Sequence, residues 1–240
     1  MALSAVLQQV QALAFDVFGT VVDWRGSIIR EGEALGRAKG LRVDWAAFAD
    51  AWRGLYQPQL SKVRDGQRPW VKLDVLHRES LDALLGPFGL EGLSEAEREY
   101  LNRVWHRLDP WPDSVPGMKR LHAKYILTPL SNGNVALLID MARRSGLPWD
   151  AILGAEPTRT YKPQPQAYLG TAEYLSLAPQ QCMLVAAHPN DLKAAQSLGF
   201  RAAYVKRPLE NGPGHTAPPG DPSFDFTVNS MEELAAALGC

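Results

Sequence analysis

Short apolar runs alternate with helical patterns in the second half of the chain, and this alternation constrains the fold more than any other feature. The patterns are typical of buried parallel strands joined by helices that cover both faces of a sheet. We therefore predict an α/β fold with a doubly wound parallel sheet. The predicted strands are Leu13–Val17, Tyr125–Leu130, Met183–Ala187, Ala202–Val205 and, more weakly, Phe224–Val228. The predicted helices are Val135–Ser145 (ended by Gly146), Gln164–Leu175, Asp191–Leu198 and Met231–Leu238.

The first strand is followed by a long stretch that is mostly helical and shows no clear strand pattern. Helices are predicted over Trp45–Leu60, Trp70–Leu85 and Ser94–His106, with Asp44 as the N-cap of the first. We therefore predict an α/β core formed by residues 1–22 and 109–240, and a helical cap formed by residues 23–108. Residues 207–222, rich in proline and glycine, predict a long surface loop.

Size and charge exclude several classes of protein. The 240 residues are 46% hydrophobic and carry a net charge of −1, so no broad field favours nucleic acid or an anionic membrane. Cys182 and Cys240 have no partners at metal-ligand spacing and form no disulfide framework. The N-terminus lacks a basic region, and no stretch approaches the roughly 20 apolar residues of a membrane span. We expect a soluble, cytoplasmic protein.

Polar residues, with neighbouring glycines and a proline, follow three of the apolar runs and a loop after Gly154. In open α/β sheets ligands bind beyond the carboxyl ends of the strands, so these residues are candidates for a shared site. Each also has a structural explanation: an aspartate after a strand often caps a helix, Ser-Asn-Gly is a common turn, and Lys162 before Pro163 suits a solvated loop. The set as a whole favours one site. Its members are Asp16, Gly19, Thr20, Ser131, Asn132, Gly133, Tyr161, Lys162, Pro163, His188, Asn190 and Asp191.

The segments AFDVFGT, LSNGN, YKPQPQAY and AAHPND resemble the four motifs of the haloacid dehalogenase superfamily. The Asp-x-Phe-Gly-Thr form, with Ser-Asn-Gly and Tyr-Lys-Pro, resembles its type II 2-haloacid dehalogenase branch. The resemblance implies that a carboxylate displaces halide from a small anionic 2-haloacid, and that water then hydrolyses the resulting ester to a 2-hydroxyacid. It implies no cofactor. Members of the family are often homodimers, which the sequence neither requires nor excludes.

The resemblance also implies roles for individual residues. Asp16 is the nucleophile, Thr20 orients it, and Lys162 stabilises its anion and holds Asp191. Ser131 binds the substrate carboxylate, while Asn132 and Arg53 hold the halide. Tyr168 matches a further site tyrosine. For Arg53 the structural alternative is an exposed helix residue, and for Trp70 and Leu73 core packing is the alternative to lining the pocket.

Phe18 and His188 depart from related patterns. Phosphatases of the superfamily have a second aspartate where Phe18 stands, and commonly an acidic pair in the fourth motif, where this chain has Ala187 and Asp191. Phe18 is expected to form an apolar wall, and no metal site is predicted; a Mg²⁺-dependent phosphatase is the alternative function. The dehalogenase branch usually has serine and asparagine where Ala186 and His188 stand. We expect His188 to position or deprotonate the hydrolytic water; the alternative is a structural histidine that bonds a loop carbonyl. The altered pocket is expected to suit haloacetates, including fluoroacetate.

Overall fold

A computed structural model describes residues 7–240, so the first six residues of the predicted core lie outside the described residues. A six-stranded parallel sheet forms its centre, in the order β5-β4-β1-β6-β7-β8. The strands, numbered in chain order, are β1 (Ala12–Phe15), β4 (Ile126–Ser131), β5 (Leu153–Gly154), β6 (Cys182–Ala186), β7 (Arg201–Val205) and β8 (Phe226–Val228). The predicted doubly wound α/β fold is confirmed, with strand ends displaced by one or two residues.

The sheet is buried on both faces, as the unbroken apolar runs indicated. In β1, Leu13 and Phe15 join one hydrophobic cluster, while Ala12 and Ala14 join the other. The covering helices are α6 (Ser114–His122), α7 (Val135–Ser145), α8 (Ala155–Thr158), α9 (Pro165–Tyr174), α10 (Pro189–Ser197) and α11 (Met231–Ala237). Helix α7 ends at Gly146 as predicted, because its φ of 70° is readily adopted only by glycine.

A second, two-stranded sheet marks the point where the helical insertion leaves and rejoins the chain. Here β2 (Val22–Asp23) pairs antiparallel with β3 (Asp109–Pro110). Between them lie α1 (Trp24–Lys39), α2 (Trp45–Gly54), α3 (Tyr56–Arg64), α4 (Leu73–Leu85), α5 (Glu95–Asn102) and a 3-10 turn (Arg103–His106). We call residues 24–106 the helical insertion; the division into a core and a cap at residues 22/23 and 108/109 remains a prediction.

Two predictions about these elements were wrong in detail. The single helix expected over Trp45–Leu60 divides at Leu55 into α2 and α3. Pro58 explains the break, since it has no N–H to continue the helix and its ring is tolerated only in a first turn. The 207–222 segment is not wholly a surface loop, because Arg207 and Glu210 are only 8% and 7% exposed. Asp44 caps α2 as predicted, accepting a hydrogen bond from the Ala47 N–H at 2.9 Å.

None of the helices within residues 7–240 combines the length and apolar character needed to cross a bilayer.

Candidate active site

Asp16 lies directly after β1, at the carboxyl edge of the sheet, and is 7% exposed. Its backbone N–H donates to Val185 O at 3.0 Å, which continues the sheet ladder to the site. Thr20 Oγ1 donates to Asp16 Oδ2 at 2.6 Å and itself accepts from the Ala187 N–H at 2.8 Å. Groups from two adjacent strand ends therefore fix the carboxylate of Asp16.

Lys162 joins the two aspartates of the site. Its Nζ donates to Asp16 Oδ1 at 3.0 Å and also to Asp191 Oδ2, and Tyr168 OH donates to Asp191 Oδ1 at 2.5 Å. Burial opposes the charge on Lys162, but Asp16 and Asp191 outweigh it and raise the pKa of the ammonium above its ordinary value. Burial also opposes the charge on Asp16 and by itself would raise the pKa of this carboxyl. The charges of Lys162 and then His188 outweigh that effect and hold the pKa of Asp16 far below its usual range. Asp16 is thus an anion at any physiological pH.

His188 lies between two carboxylates. Its Nδ1 is 3.0 Å from Asp16 Oδ2, and its Nε2 is 2.9 and 3.1 Å from the two carboxylate oxygens of Glu210. Because both partners accept hydrogen bonds, both ring nitrogens carry a proton in this arrangement. Burial disfavours the imidazolium, but the charge of Asp16 and the hydrogen bonds to Asp16 and Glu210 outweigh it and raise the pKa of His188 to about 10.

Asn132 and Ser131, at the end of β4, are placed differently. Asn132 faces the cleft: its Oδ1 accepts from the Lys162 N–H at 2.8 Å, and its Nδ2 donates to Tyr56 OH at 3.0 Å. Ser131 is 1% exposed, and its Oγ accepts from the Gly133 N–H at 3.1 Å rather than lining the cleft. The side chain of Asn132 therefore joins the core to the helical insertion, while Ser131 supports the turn beneath it.

The helical insertion contributes Arg53, whose guanidinium lies 4.3 Å above the Tyr56 ring and 5.4 Å from the Trp24 ring. Its Nη1 is buried and has no hydrogen-bond partner within residues 7–240. A buried cationic donor without a partner is costly unless an acceptor completes it. Arg53 is therefore suited to hold an anion in the cleft, and it is not the exposed helix residue of the alternative interpretation.

The cleft between core and insertion has a volume of about 530 Å³. Phe18, which is 2% exposed, forms an apolar part of its wall and packs edge-on against Trp105 at 5.7 Å. Trp70 and Leu73 do not line it, which favours core packing for both. The lining residues are Asp16, Phe18, Arg53, Tyr56, Gln57, Arg64, Asn132, Lys162, Pro163, Tyr168, His188, Asn190 and Asp191.

These residues do not fit a divalent cation. A hard cation needs several oxygen ligands, but the two aspartates that could supply them, Asp16 and Asp191, are already bridged by the Lys162 ammonium, a cation that contacts both. Phe18 contributes no oxygen. Within the described part of the chain, no group of three or more His, Cys, Asp or Glu residues is arranged to hold a metal.

Sequence reasoning missed Tyr56, which lines the cleft, and Glu210, which contacts His188 beside it. Glu210 lies in the segment that was expected to be a surface loop, and its acid character alone gave no signal. The glycine at position 19 was a weak signal, because glycine is favoured where φ is positive or where another group approaches closely. In the structure the φ of Gly19 is 85°, and a Cβ there would lie 2.1 Å from Glu210 Oε1. Tyr56 was hidden because a single helix was expected to run through its position.

The fold and the site define an enzyme of the parallel α/β class, with a buried aspartate at the carboxyl edge of the sheet between two cations. A family model described as haloacid dehalogenase-like hydrolase matches residues 10–199. The chain belongs to that family of hydrolases.

Several solved structures and curated proteins similar to this chain are named 2-haloacid dehalogenases, and two curated relatives from Neisseria, each 26% identical, are named phosphoglycolate phosphatases. A defluorinating L-2-haloacid dehalogenase is 47% identical, with a TM-score of 0.92 and 96% of each chain covered. A second L-2-haloacid dehalogenase is also 47% identical, with a TM-score of 0.91, covering 96% of this chain and 100% of that one. The (S)-2-haloacid dehalogenase 4A of Burkholderia cepacia is 26% identical over 232 residues, 95% of each protein.

Proposed function

We propose that this enzyme hydrolyses small 2-haloacids to 2-hydroxyacids through an ester formed on Asp16. The observation that carries the proposal is the ionised, buried carboxylate of Asp16 between Lys162 and His188, in a cleft where Phe18 supplies no proton donor. Halide leaves without a proton, whereas an alcohol leaving group needs one. The names of the similar proteins support the same reaction.

Alkylation uses the oxygen of Asp16 that is less engaged. Among residues 7–240, Thr20 and His188 donate to Oδ2, whereas Lys162 alone donates to Oδ1. Oδ1 therefore keeps a free lone pair and attacks the carbon that bears the halogen. A C–O bond forms, the C–halogen bond breaks, and the halide leaves with the bonding electrons.

The substrate is an anion that meets an anionic nucleophile, so positive charge in the cleft must offset their repulsion. Lys162 and His188 flank Asp16, and Arg53 Nη1, which has no partner in the described part of the chain, is available for the departing halide. Asn132, oriented by the Lys162 N–H and Tyr56, completes the halide site. Ser131 acts from below, by shaping the turn whose backbone N–H groups bind the substrate carboxylate.

Hydrolysis then regenerates Asp16. Water attacks Cγ of the ester, and Asp191, the second carboxylate of the cleft, accepts its proton. The bond between Cγ and Oδ1 breaks, and the 2-hydroxyacid leaves with the former Oδ1 and the proton returned by Asp191. Asp16 keeps one oxygen atom from water after each turnover. Phe18 contributes by keeping other water molecules away from the alkyl carbon.

The proposed substrates include fluoroacetate. Fluoride is the poorest leaving group of the halides and the strongest hydrogen-bond acceptor, so it depends most on donors such as Arg53 Nη1. The similar structure named as defluorinating supports this choice. A Mg²⁺-dependent phosphatase is disfavoured, because Phe18 replaces the acid that would protonate an alcohol and the carboxylate oxygens already have partners.

Halide release decides between these functions. The protein is incubated with chloroacetate, both enantiomers of 2-chloropropionate and fluoroacetate, with and without EDTA, and separately with p-nitrophenyl phosphate and Mg²⁺. We expect halide release that EDTA does not reduce, and no turnover by Asp16→Asn. Phosphate release that requires Mg²⁺, without halide release, would contradict the proposal.

Labelling tests the intermediate. After a single turnover in H₂¹⁸O, peptide mass spectrometry should find one heavy oxygen in Asp16 and none in the first equivalent of product. A label that appears directly in the product, with none in Asp16, would mean that water attacks the substrate itself.

Two further parts of the proposal concern the protein as a whole. We propose that it acts in the cytoplasm and as a homodimer, following the resemblance. Light scattering coupled to size-exclusion chromatography tests the second point, for which a mass of 26.4 kDa per chain gives the reference.

A further inference from the structure

Glu210 is a buried acid in a position where an acid is unfavourable. It is 7% exposed and lies beside a cleft that must attract an anion to an anionic nucleophile. The fold nevertheless fixes it firmly. Arg207 anchors the segment by donating to Thr20 O at 2.9 Å and to Asp113 Oδ1 at 2.7 Å, and Trp24 Nε1 donates to Glu210 Oε1 at 3.3 Å.

The negative charge of Glu210 is compatible with the site only if a cation separates it from Asp16, and His188 is that group. Asp16 and Glu210 face the imidazole directly, from the end of β1 and from the segment after β7. Lys162 and Asp191 lie on the far side of Asp16. With both flanking carboxylates ionised, the pKa of His188 lies at about 10, so the ring is an imidazolium at neutral pH.

The contacts of Asp16 Oδ2 indicate what this imidazolium does. After Oδ1 is alkylated, Oδ2 is the carbonyl oxygen of the ester, and negative charge develops on it when water attacks Cγ. Two donors already point at that atom: Thr20 Oγ1 at 2.6 Å and His188 Nδ1 at 3.0 Å. Donors placed in advance at a developing oxyanion are among the largest contributions to catalysis.

We propose, building on the function proposed above, that His188 and Thr20 form the oxyanion site for hydrolysis of the Asp16 ester, and that Glu210 holds His188 protonated for this task. His188 is then a catalytic residue, because it touches the reacting oxygen. Glu210 is a positioning residue, because it acts through His188.

The step balances without any further reactant. The oxygen of water bonds to Cγ, the C=O electrons move to Oδ2, and Asp191 takes the proton. The Nδ1–H of His188 stays on nitrogen and donates a hydrogen bond to the oxyanion throughout. When the Cγ–Oδ1 bond breaks, the C=O bond re-forms and the hydroxyacid takes the proton from Asp191. The carboxyl of Asp16 then releases its own proton to solvent, which is the proton formed with the halide in the overall reaction.

This role differs from general-base catalysis by His188, and the two predict opposite effects of pH. A base must be unprotonated, so its rate rises as pH passes the pKa of the imidazole. An oxyanion donor must be protonated, so its rate falls. The observed contacts favour the donor, since both ring nitrogens face carboxylates and neither has a lone pair for water.

The test is Glu210→Gln, which keeps an acceptor for Nε2 and for Trp24 but removes the charge. Leu209→Ala is the matched control, because Leu209 lies in the same turn and is 60% exposed. Single-turnover experiments with chloroacetate from pH 6 to 10 measure the halide burst and, by intact mass, the decay of the Asp16 ester.

We expect the halide burst of E210Q to stay within about fivefold of the wild-type burst, while ester decay at pH 9 slows by about 10²-fold, the range for a lost oxyanion donor. The decay rate of E210Q should fall as pH rises, and it should do so at a lower pH than in the wild type. In the ester of E210Q both neighbours of His188 are uncharged, since Asp16 is esterified and residue 210 is an amide. Leu209→Ala should match the wild type throughout.

His188→Asn is the second variant, and it decides the question if E210Q does not fold. Asparagine can donate to Oδ2 but carries no titrating charge, so ester decay should lose its dependence on pH. A decay rate that rises with pH in the wild type or E210Q would overturn the proposal, and so would E210Q decay equal to that of the wild type at pH 9. If the wild type releases no halide, the proposed function fails as well, which distinguishes the two failures.

Discussion

His77 is a residue whose burial makes the stability of the protein depend on pH. It is 3% exposed and stacked on Trp105 at 4.1 Å, and neither ring nitrogen has a hydrogen-bond partner within residues 7–240. Burial, which outweighs the charge of Asp74, lowers its pKa to about 3. Between pH 6.5 and pH 3 the unfolded chain binds a proton there that the folded protein excludes. Stability is therefore lost as pH falls, by roughly 2 kcal/mol at pH 5.

Substitution of His77 by phenylalanine should remove this effect, since the ring shape is kept and the unpaired nitrogens are lost. We compare the free energy of unfolding of His77→Phe with that of the wild type at each pH. The advantage of the variant should be about 2 kcal/mol larger at pH 5 than at pH 8. Urea titrations at the two pH values measure the difference. His215→Phe, at an exposed histidine, is the control and should show no such gain. An equal difference between His77→Phe and wild type at both pH values would contradict the argument.

Single residues were predictable from sequence where their position along a strand carried the signal. Asp16, Asn132 and Asp191 follow apolar runs, so the topology of a parallel sheet was enough to group them. Glu210 was not predictable in this way. It lies in a segment with no periodicity. Its partners are distant in the chain: His188 is separated from it by 22 positions and Trp24 by 186. Only the folded backbone brings these groups together.

The turn from β1 to β2 is the element that joins the nucleophile to Glu210. Gly19, at its centre, has a φ of 85°, and Trp111 Nε1 donates to its carbonyl at 2.9 Å. A side chain there meets two obstacles: the left-handed backbone conformation, and Glu210 Oε1 at 2.1 Å from the added Cβ. The first affects stability, whereas the second displaces the carboxylate from His188.

Gly19→Ala should therefore lose stability by about 1–2 kcal/mol from the backbone alone and should also slow ester hydrolysis. Gly214→Ala is a matched control, because Gly214 has nearly the same φ, 86°, and no atom within 4 Å of the added Cβ. Thermal unfolding and single-turnover kinetics of both variants separate the two effects. If the two variants lose the same stability and both keep wild-type ester hydrolysis, Gly19 serves only the backbone.

Elements were predictable wherever one pattern dominated a stretch of chain. The unbroken apolar runs gave the strands, and the Asp44 cap gave the start of α2. The division of α2 from α3 escaped because the apolar periodicity continues through Leu55, although Pro58 was visible in the sequence. Strand β5, two residues long, has no pattern of its own and exists because Gly154 pairs with Ser131 of β4.

At the scale of the whole molecule, a partly buried polar cluster joins the helical insertion to the helices that cover the sheet. Asn134, 2% exposed at the start of α7, does not cap its own helix. Its Nδ2 donates to Asp74 Oδ2 at 2.9 Å, and its Oδ1 accepts from the Asp74 N–H at 3.3 Å. His106 continues the cluster, with ring nitrogens 3.1 Å from Asp74 and 2.8 Å from Asp140. No sequence pattern predicted these contacts, because they join segments that follow separate periodicities.

Asn134→Ala should loosen this attachment, since it leaves polar groups of Asp74 without partners. We expect the free energy of unfolding to fall by about 1–3 kcal/mol, and KM for the haloacid to rise more than kcat falls, because Arg53 and Tyr56 reach the cleft from the insertion. Asn229→Ala, at an exposed asparagine, is the control and should change stability by less than about 0.5 kcal/mol. Denaturation and steady-state kinetics on the two variants measure both effects. Lower stability with an unchanged KM would mean that the cluster holds the fold together without setting the geometry of the cleft.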